Sequence, residues 1–453
     1  MRRALTFANP TAAAAATCSL RGSKLLLPSA SACRSFSSSS LSMNQEQANA
    51  SDSSRPTLMI PGPIEFSPKV LEAMAYPSMS HVSPEFIAIF QDSLKKLRQV
   101  FATKNGQPLV VAGSGTLGWD MAVCNLLSKD NSKALVVSTG LFSERFAKCI
   151  GNYGGHAHTL AVPVGQCPDL DKIANALKSH KGLRMVTVTH VDTSTGVLAP
   201  VKEIAQLVKK TSPDTLMVVD GVCATGAEEL LMDEWGIDIV LTASQKAIGV
   251  PPGLSIMMLS EYATRVFRER ITPVASYYCD WTKWLPIMKA YEAGTPDYFA
   301  TPPVNLVRAL QVSLNEILDE GMENRWQAHK KAGAAIRKAV KALGLELVAA
   351  NENISANTIS AIKFPQAVLD AKKGPTLLSI IKQKGKVELA GGLHPDIKPT
   401  YFRIGHMGYS VTKNKEHHHL EKAIAALEIG LSDKEIGHSF KPNIGVETLR
   451  HNM

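Results

Sequence analysis

No run of about 18 apolar residues occurs anywhere in the 453-residue chain. The richest stretch, Leu254–Leu259, is strand-sized and interrupted by Ser255, so no membrane span is expected. There is no C-x-x-C pair either. Of seven cysteines, Cys18 and Cys33 lie near the N-terminus, leaving Cys124, Cys149, Cys167, Cys223 and Cys279 widely spaced. Five is an odd number, which argues against a disulfide framework or a structural zinc site and for free thiols in a reducing compartment. Charged residues make up only 20% against 45% hydrophobic, an ordinary globular balance that rules out a collagen, a coiled coil or a mostly disordered chain. No internal repeat is present.

The formal charge of +9 is not spread evenly. Residues 1–43 carry Arg2, Arg3, Arg21, Lys24 and Arg34, no acid, an alanine run and the serine-rich stretch Ser35–Ser42. The remainder holds 44 basic and 40 acidic side chains, a balance of +4. An acid-free, Arg-bearing, Ser/Ala-rich leader is expected to be a mitochondrial transit peptide. Its apolar cores, Ala12–Ala16 and Leu25–Leu27, are too weak for a secretory signal. The alternative is a low-complexity tail with no address, on a cytoplasmic protein. The C-terminal His451-Asn452-Met453 is not a peroxisomal tripeptide.

A polar linker follows at 44–56, and then an amphipathic helix with Ser83 as N-cap, Pro84 at N1, and Phe86, Phe90, Leu94, Leu97 and Phe101 on one face. Seven short apolar runs read as buried strands: 108–112, 134–138, 158–163, 184–191, 215–222, 238–243 and 253–260. Helical periods such as Val201, Ile204, Ala205 and Val208 separate most of them. Strands joined by helices require crossovers, so the expected fold is α/β, a mostly parallel seven-stranded sheet with helices on both faces. Such a sheet binds ligands beyond its strand C-termini. Residues 271–303, rich in Tyr, Trp, Pro and Gly, read as an irregular segment packed on a surface or partner. A long helical region at about 304–343, interrupted near Gly321, leads to a smaller C-terminal α+β region with strands at 358–364, 386–390 and 401–405. The expected boundaries are 57–310 for the large domain, 311–435 for the smaller one, and 436–453 for a tail.

Gly113-Ser114-Gly115-Thr116-Leu117-Gly118 satisfies G-x-G-x-x-G between a strand and a helix. A dinucleotide site also needs an acid at the end of the next strand, and Val137-Ser138-Thr139-Gly140 has none. Amides and hydroxyls at a helix start still favour an anion, so a phosphate site survives without the nicotinamide reading. Four more features follow at strand ends: Thr193-Ser194-Thr195-Gly196 beside Asp192; Asp220 closing an apolar run; Ser244-Gln245-Lys246; and Arg403 in Tyr401-Phe402-Arg403-Ile404-Gly405. Each alone has a bland explanation, as a turn cap, a solvated lysine or a surface ion pair. Together, a phosphate-binding helix start, an acid for a pyridinium nitrogen and a lysine able to form a Schiff base are what pyridoxal phosphate requires.

On Pro61-Gly62-Pro63, Gly113–Thr116, Ser194-Thr195-Gly196-Val197, Val219-Asp220-Gly221, Ser244-Gln245-Lys246-Ala247 and Arg403-Ile404-Gly405, the chain resembles the class V, fold-type I aminotransferases, most closely those of the alanine–glyoxylate and serine–pyruvate type. The likeness covers about residues 57–430. It implies pyridoxal 5′-phosphate as cofactor, with Lys246 holding it covalently and shuttling a proton, and Asp220 keeping the ring nitrogen protonated. Ser114, Gly115 and Thr116 would hold the phosphate with Gln245 nearby, Thr193 would lie near the ring hydroxyl, and Arg403 and Gly62 would serve the substrate. It further implies a homodimer with shared sites, the partner's Tyr298–Thr301 segment closing the phosphate site through Tyr298 and Thr301. Phe142 stands where close relatives stack a tryptophan on the ring, and it lacks an indole N–H. The implied activity is transfer of an amino group from alanine or serine to glyoxylate or another small 2-oxo acid.

Other candidates carry less. His156 and His158 lack a third ligand nearby, and three consecutive helical residues, His417–His419, cannot face one metal, so no metal is expected and both groups read as structural or solvated. Lys330, Lys331, Arg337, Lys338 and Lys341 form a basic helix without a nucleic-acid module, read as a solvated face, so no nucleic-acid partner is expected. A cysteine desulfurase would need a thiol on a loop late in the chain, and none follows Cys279. A nicotinamide dehydrogenase, or an inactive scaffold on the same fold, remain the rival readings.

Overall fold

A computed structural model describes residues 55–129 and 132–453. The expected leader, the linker up to residue 54, and residues 130–131 lie outside them.

Seven strands form the main sheet: β1 (Gln107–Ala112), β2 (Lys133–Val137), β3 (His156–Leu160), β4 (Met185–Thr189), β5 (Leu216–Asp220), β6 (Ile239–Ala243) and β7 (Leu254–Leu259). Their order is β1-β7-β6-β5-β4-β2-β3. All run parallel except β7, which is antiparallel to both β1 and β6. β4, β5 and β6 are buried at every residue, which is why their sequences are continuous apolar runs rather than alternating ones. The register sets Asp220 level with Thr189 on one side and Leu241 on the other.

Helix α1 (Pro84–Val100) starts as its sequence dictates, with Ser83 Oγ accepting from the Phe86 N–H at 3.2 Å and Pro84 in the first turn. Its Phe86, Phe90, Leu94 and Leu97 are fully buried in the large core. Two further helices begin at strand ends, α2 (Gly115–Leu126) after β1 and α3 (Leu141–Asn152) after β2. The glycines of the G-x-G-x-x-G run serve close packing here. A Cβ on Gly115 would meet Val222 Cγ2 at 2.9 Å, and one on Gly118 would meet Leu241 Cβ at 3.1 Å. They let α2 lie directly on β5 and β6.

The aromatic segment 271–303 differs from expectation. It contains α4 (Trp281–Glu292), capped by Asp280, whose Oδ1 accepts from the Thr282 N–H at 2.8 Å. Trp281, Trp284, Ile287, Met288 and Tyr291 repeat at helical spacing and are buried, while Pro286 hid the pattern. Pro286 sits in the middle of the helix, where burial of the apolar face offsets the loss of one N–H.

Helix α5 (Val304–Glu320) runs across the expected boundary at 310 and stops at Gly321, whose φ of +78° breaks the path before α6 (Met322–Ala342). Beyond them β8 (Ile359–Lys363), β9 (Ala390–Gly391) and β10 (Tyr401–Gly405) form an antiparallel sheet in the order β8-β10-β9. Helix α7 (His419–Ser432) shares its core, and α8 (Ile444–Asn452) packs on α6 and α7; α8 lies within the expected tail, and its Leu449 is buried in this second core. Met59 joins the same core, because Thr57-Leu58 pairs with Val387-Glu388.

Two surface assignments need correction. His419 is buried, with Nδ1 at 3.0 Å from Ser410 Oγ, so the histidine triplet is not a solvated face throughout. Arg337 is also buried and donates to the Ala356 carbonyl at 2.9 Å, whereas Lys330 and Lys331 are exposed. The basic residues stand on one helix as expected, but the three histidines do not: His418, with φ +54°, breaks the chain between the helical turn Asn414–His417 and the helix that starts at His419.

Candidate active site

Five strand ends converge on one cleft of about 230 Å³. It is lined by Ser114, Gly115, Thr116 and Trp119 from α2, Phe142 from α3, Thr189, Val191 and Thr193 after β4, Asp220, Val222 and Cys223 after β5, and Gln245 and Lys246 after β6. A larger cavity of about 860 Å³ lies in the C-terminal α+β region between Phe364, Leu378 and Tyr401, but no acid or histidine lines it, so the chemistry belongs to the smaller cleft.

The α2 start offers an anion site. Ser114 is the N-cap residue but its hydroxyl makes no capping bond, and both it and Thr116 are exposed. Hydroxyls and unpaired first-turn amides therefore face the cleft at the positive end of the helix.

The loop after β4 is stitched to the start of α3. Asp192, fully buried, accepts from the Phe142 N–H at 3.0 Å and from Ser194 Oγ at 2.6 Å. Ser194 Oγ in turn accepts from the Leu141 N–H at 2.9 Å, and Thr195 Oγ1 donates to the Thr139 carbonyl at 2.8 Å. A carboxylate at a helix N-terminus is well placed electrostatically, although burial raises its pKa. Asp192 thus orients the backbone that carries Phe142 and leaves Thr193 lining the cleft.

Asp220 ends β5 and is 2% exposed. Its Oδ2 accepts from Trp119 Nε1 at 2.9 Å and its Oδ1 from the Val222 N–H at 3.0 Å. Burial nonetheless pushes its pKa up to about 6, against the opposing effect of those two bonds. No salt bridge compensates it among the described residues. Lys246, at the end of the neighbouring strand, points its Nζ to the Pro61 carbonyl at 2.6 Å. Gly62 makes that possible: its φ is +141°, and a Cβ there would sit 2.6 Å from Lys246 Nζ. Gln245 Oε1 and Thr189 Oγ1 are buried without a hydrogen-bond partner.

Arg403 lies on β10, outside the lining set, but its Nη1 donates to the Thr193 carbonyl at 3.2 Å and its Nε to Gly391 O at 2.9 Å. Tyr298 and Thr301 are not brought to the cleft. They are exposed and 3.2 Å apart, Oη to Oγ1, with Tyr298 against the His81 ring. The single chain leaves Tyr298 60% exposed.

Trp119 is a site residue that the sequence reading did not single out. The available signal was an indole N–H one turn into a helix that starts at the site, which must find an acceptor when buried. Cys223 was also missed; it is a buried thiol whose pKa is raised by desolvation, the opposite of an activated nucleophile. Among the described residues no group of three or more metal-ligating side chains is placed to hold an ion.

The sequence matches the model of the family "Aminotransferase class-V" over residues 65–396. It is 44% identical to alanine–glyoxylate aminotransferase 1 of Saccharomyces cerevisiae, over 84% of this chain and 98% of that protein. The crystal structure of alanine–glyoxylate aminotransferase from Nostoc sp. superposes with a TM-score of 0.76 at 28% identity, covering 83% of this chain and 95% of that one. Ureidoglycine–glyoxylate aminotransferase from Bacillus subtilis gives 0.78 at 25% identity, covering 87% and 97%.

Folding raises the Asp220 pKa from 3.8 to about 6, so the native state prefers the protonated acid. Its contribution is most favourable below about pH 4 and is lost as the pH rises through 6, a swing of about 3 kcal/mol. In the ligand-free protein, Asp220→Asn should therefore gain on the parent by that order between pH 4 and pH 7. Chemical denaturation at several pH values measures it, and a difference independent of pH would rule out this account of Asp220.

Proposed function

Since the chain belongs to the class V aminotransferases, we propose that it moves the amino group of alanine, or of serine, to glyoxylate, so that alanine and glyoxylate become pyruvate and glycine. The observation that carries this reading is the meeting of Asp220 and Lys246 on adjacent strand ends beside a helix N-terminus with free hydroxyls. The three relatives described above support glyoxylate as acceptor, since each is named for it, whereas their named donors differ.

Pyridoxal 5′-phosphate is the cofactor the family uses. The cleft fits it on its own chemistry. A buried carboxylate with no cationic partner suits a protonated ring nitrogen, and the α2 start suits a phosphate. The unpartnered Gln245 Oε1 and Thr189 Oγ1 are polar atoms that a polar ligand could satisfy. Phe142, Trp119 and Val222 supply apolar lining for a flat ring.

When bound, the cofactor supplies an electron sink for the pair left on the substrate Cα when its proton departs. The chain does the rest. Lys246 Nζ would provide the amine that holds the cofactor and the base that takes the Cα proton. Asp220 holds a proton at the ring nitrogen, and the cation thus formed relieves the burial that Asp220 otherwise suffers. Trp119 and the Val222 N–H fix that carboxylate in place. Arg403 binds the substrate carboxylate through its planar fork, a contact lysine could not reproduce. Val191 and Val222 help keep water from the reacting carbon.

The active unit in this reading is a homodimer. Ile271, Tyr277, Tyr278 and Tyr298 are large apolar or aromatic side chains left exposed within one segment, and Phe299 packs on Tyr277 at 5.5 Å. A patch of this kind is expected to be covered. Tyr298 and Thr301 would then complete the partner's phosphate site. The leader at 1–43 would take the protein to mitochondria.

Purified protein supplied with the cofactor should convert alanine and glyoxylate to pyruvate and glycine, and Lys246→Ala should lose both turnover and the visible absorbance of the attached cofactor. Retention of both by the variant would refute the lysine assignment. Sedimentation should give a dimer, and Thr301→Ala should weaken cofactor retention at least severalfold; a monomer of full activity would dismiss the shared site. Residues 1–43 fused to a fluorescent protein should direct it to mitochondria, and diffuse cytosolic fluorescence would count against the address.

A further inference from the structure

Asp220 and Lys246 must keep a fixed separation, because one serves the ring nitrogen and the other the substrate carbon of the same bound molecule. Each stands at a strand end, and each continues into a loop of turns. After Asp220, the amides of Ala224 and Thr225 both bond the Gly221 carbonyl, and the chain reaches Gly226 with φ +86°. After Lys246, the Gly249 N–H bonds the Lys246 carbonyl. The two loops run side by side. A Cβ on Gly226 would lie 3.5 Å from the Ala247 carbonyl oxygen.

One side chain from another element joins them. Arg325, in the first turns of α6, is fully buried, and its Nε donates to the Gly226 carbonyl at 2.7 Å while its Nη2 donates to the Ala247 carbonyl at 2.8 Å. Its Nη1 bonds Glu320, which compensates the buried charge. The same helix reaches a third strand end. His329, one turn on, has Nδ1 at 2.7 Å from the Arg325 carbonyl and accepts the Gly408 N–H on Nε2 at 2.9 Å. That pattern requires the neutral imidazole with its proton on Nδ1, in keeping with a pKa that burial pushes down to about 3. Gly408 follows the β10 strand that carries Arg403, and a Cβ on it would lie 3.6 Å from Ala247 Cα.

We propose that Arg325 is a positioning residue for the amino transfer: its guanidinium holds the Asp220 and Lys246 loops at one spacing and ties both to the helix that also anchors the chain after Arg403. A planar fork with donors on two edges can span two carbonyls in a fixed geometry, whereas an ammonium group offers a single centre. Small displacements at the reacting groups are enough to matter, since about 1 Å of misplacement can lower a rate by about 100-fold. This inference rests on the aminotransferase reading of the site and assigns a role to a residue outside the cleft.

The test is the alanine half-reaction followed in a single turnover and normalised to bound cofactor, so that only folded, loaded molecules are counted. Arg325→Lys keeps a positive charge opposite Glu320, and the double variant Arg325→Met, Glu320→Gln removes both charges, so neither leaves an ion buried alone. Both should slow the half-reaction at least about tenfold, with the alanine concentration giving half-maximal rate changed by less than about threefold. Deuterium at the alanine Cα should slow the variants more than the parent, because proton removal by a displaced Lys246 becomes limiting. Rates within about twofold of the parent, or a loss confined to alanine affinity with an unchanged isotope effect, would overturn the assignment. Absence of alanine-dependent turnover in the parent enzyme would remove the aminotransferase reading and this inference with it, whereas a parent-like Arg325→Lys overturns this inference alone.

Discussion

The structure is arranged around a carboxylate that ends a fully buried strand and, among the described residues, makes no salt bridge. Asp220 accepts from an indole and a backbone amide, yet burial still holds its pKa at about 6. A solvated or paired acid would be the more stable choice in a protein without a ligand. Its persistence at the floor of a cleft is intelligible if the missing charge arrives with a cofactor. The neighbouring strand end then has to present a nucleophilic amine, and Lys246 does so, kept in place by the Pro61 carbonyl and given room by Gly62. The rest of the cleft follows from where those two groups stand.

Holding them requires more than the sheet. Asp192 and Ser194 bind the loop after β4 to the first turn of α3, so that Phe142 and Thr193 come to the cleft by way of backbone bonds rather than their own contacts. Arg325 does the corresponding work between the β5 and β6 loops. In both places a buried charged group is satisfied by several hydrogen bonds from fixed backbone, a pattern that favours one geometry over many. The two charged clamps differ in sign because one faces amides at a helix start and the other faces carbonyls.

Much of this was legible beforehand, for identifiable reasons. The seven runs correspond to the seven strands of the main sheet; the central ones are buried on both faces and cannot hide their composition, whereas the edge strand β3 has no buried residue. Ser114, Thr116, Asp220, Gln245 and Lys246 each stand at a strand end, where a polar residue after an apolar run is conspicuous. Thr193 stood out in the same way, the Phe142 position came through likeness to a family, and the cleft includes both. Three readings failed where the outcome depended on a distant neighbour. Helix α4 was concealed by Pro286 and its aromatics, His419 and Arg337 turned inward, and Trp119 was not singled out although its N–H serves Asp220.

Local pattern in the chain determined the α/β class, the succession of strands and helices, the glycines that let α2 rest on the sheet, and the identity of the groups able to do chemistry. These depend on side-chain periodicity and on residue type, both of which are written along the chain. Tertiary structure alone decided which of those groups meet and at what spacing. Arg325 is the clearest case, a basic residue at the head of a basic helix that sequence pattern assigns to solvent. It lies buried because the carbonyls of Gly226 and Ala247, distant in the chain, are brought within reach of one guanidinium. Hydrogen-bond partners of that kind exist only after the backbone has folded, so no composition or spacing in the chain could announce them.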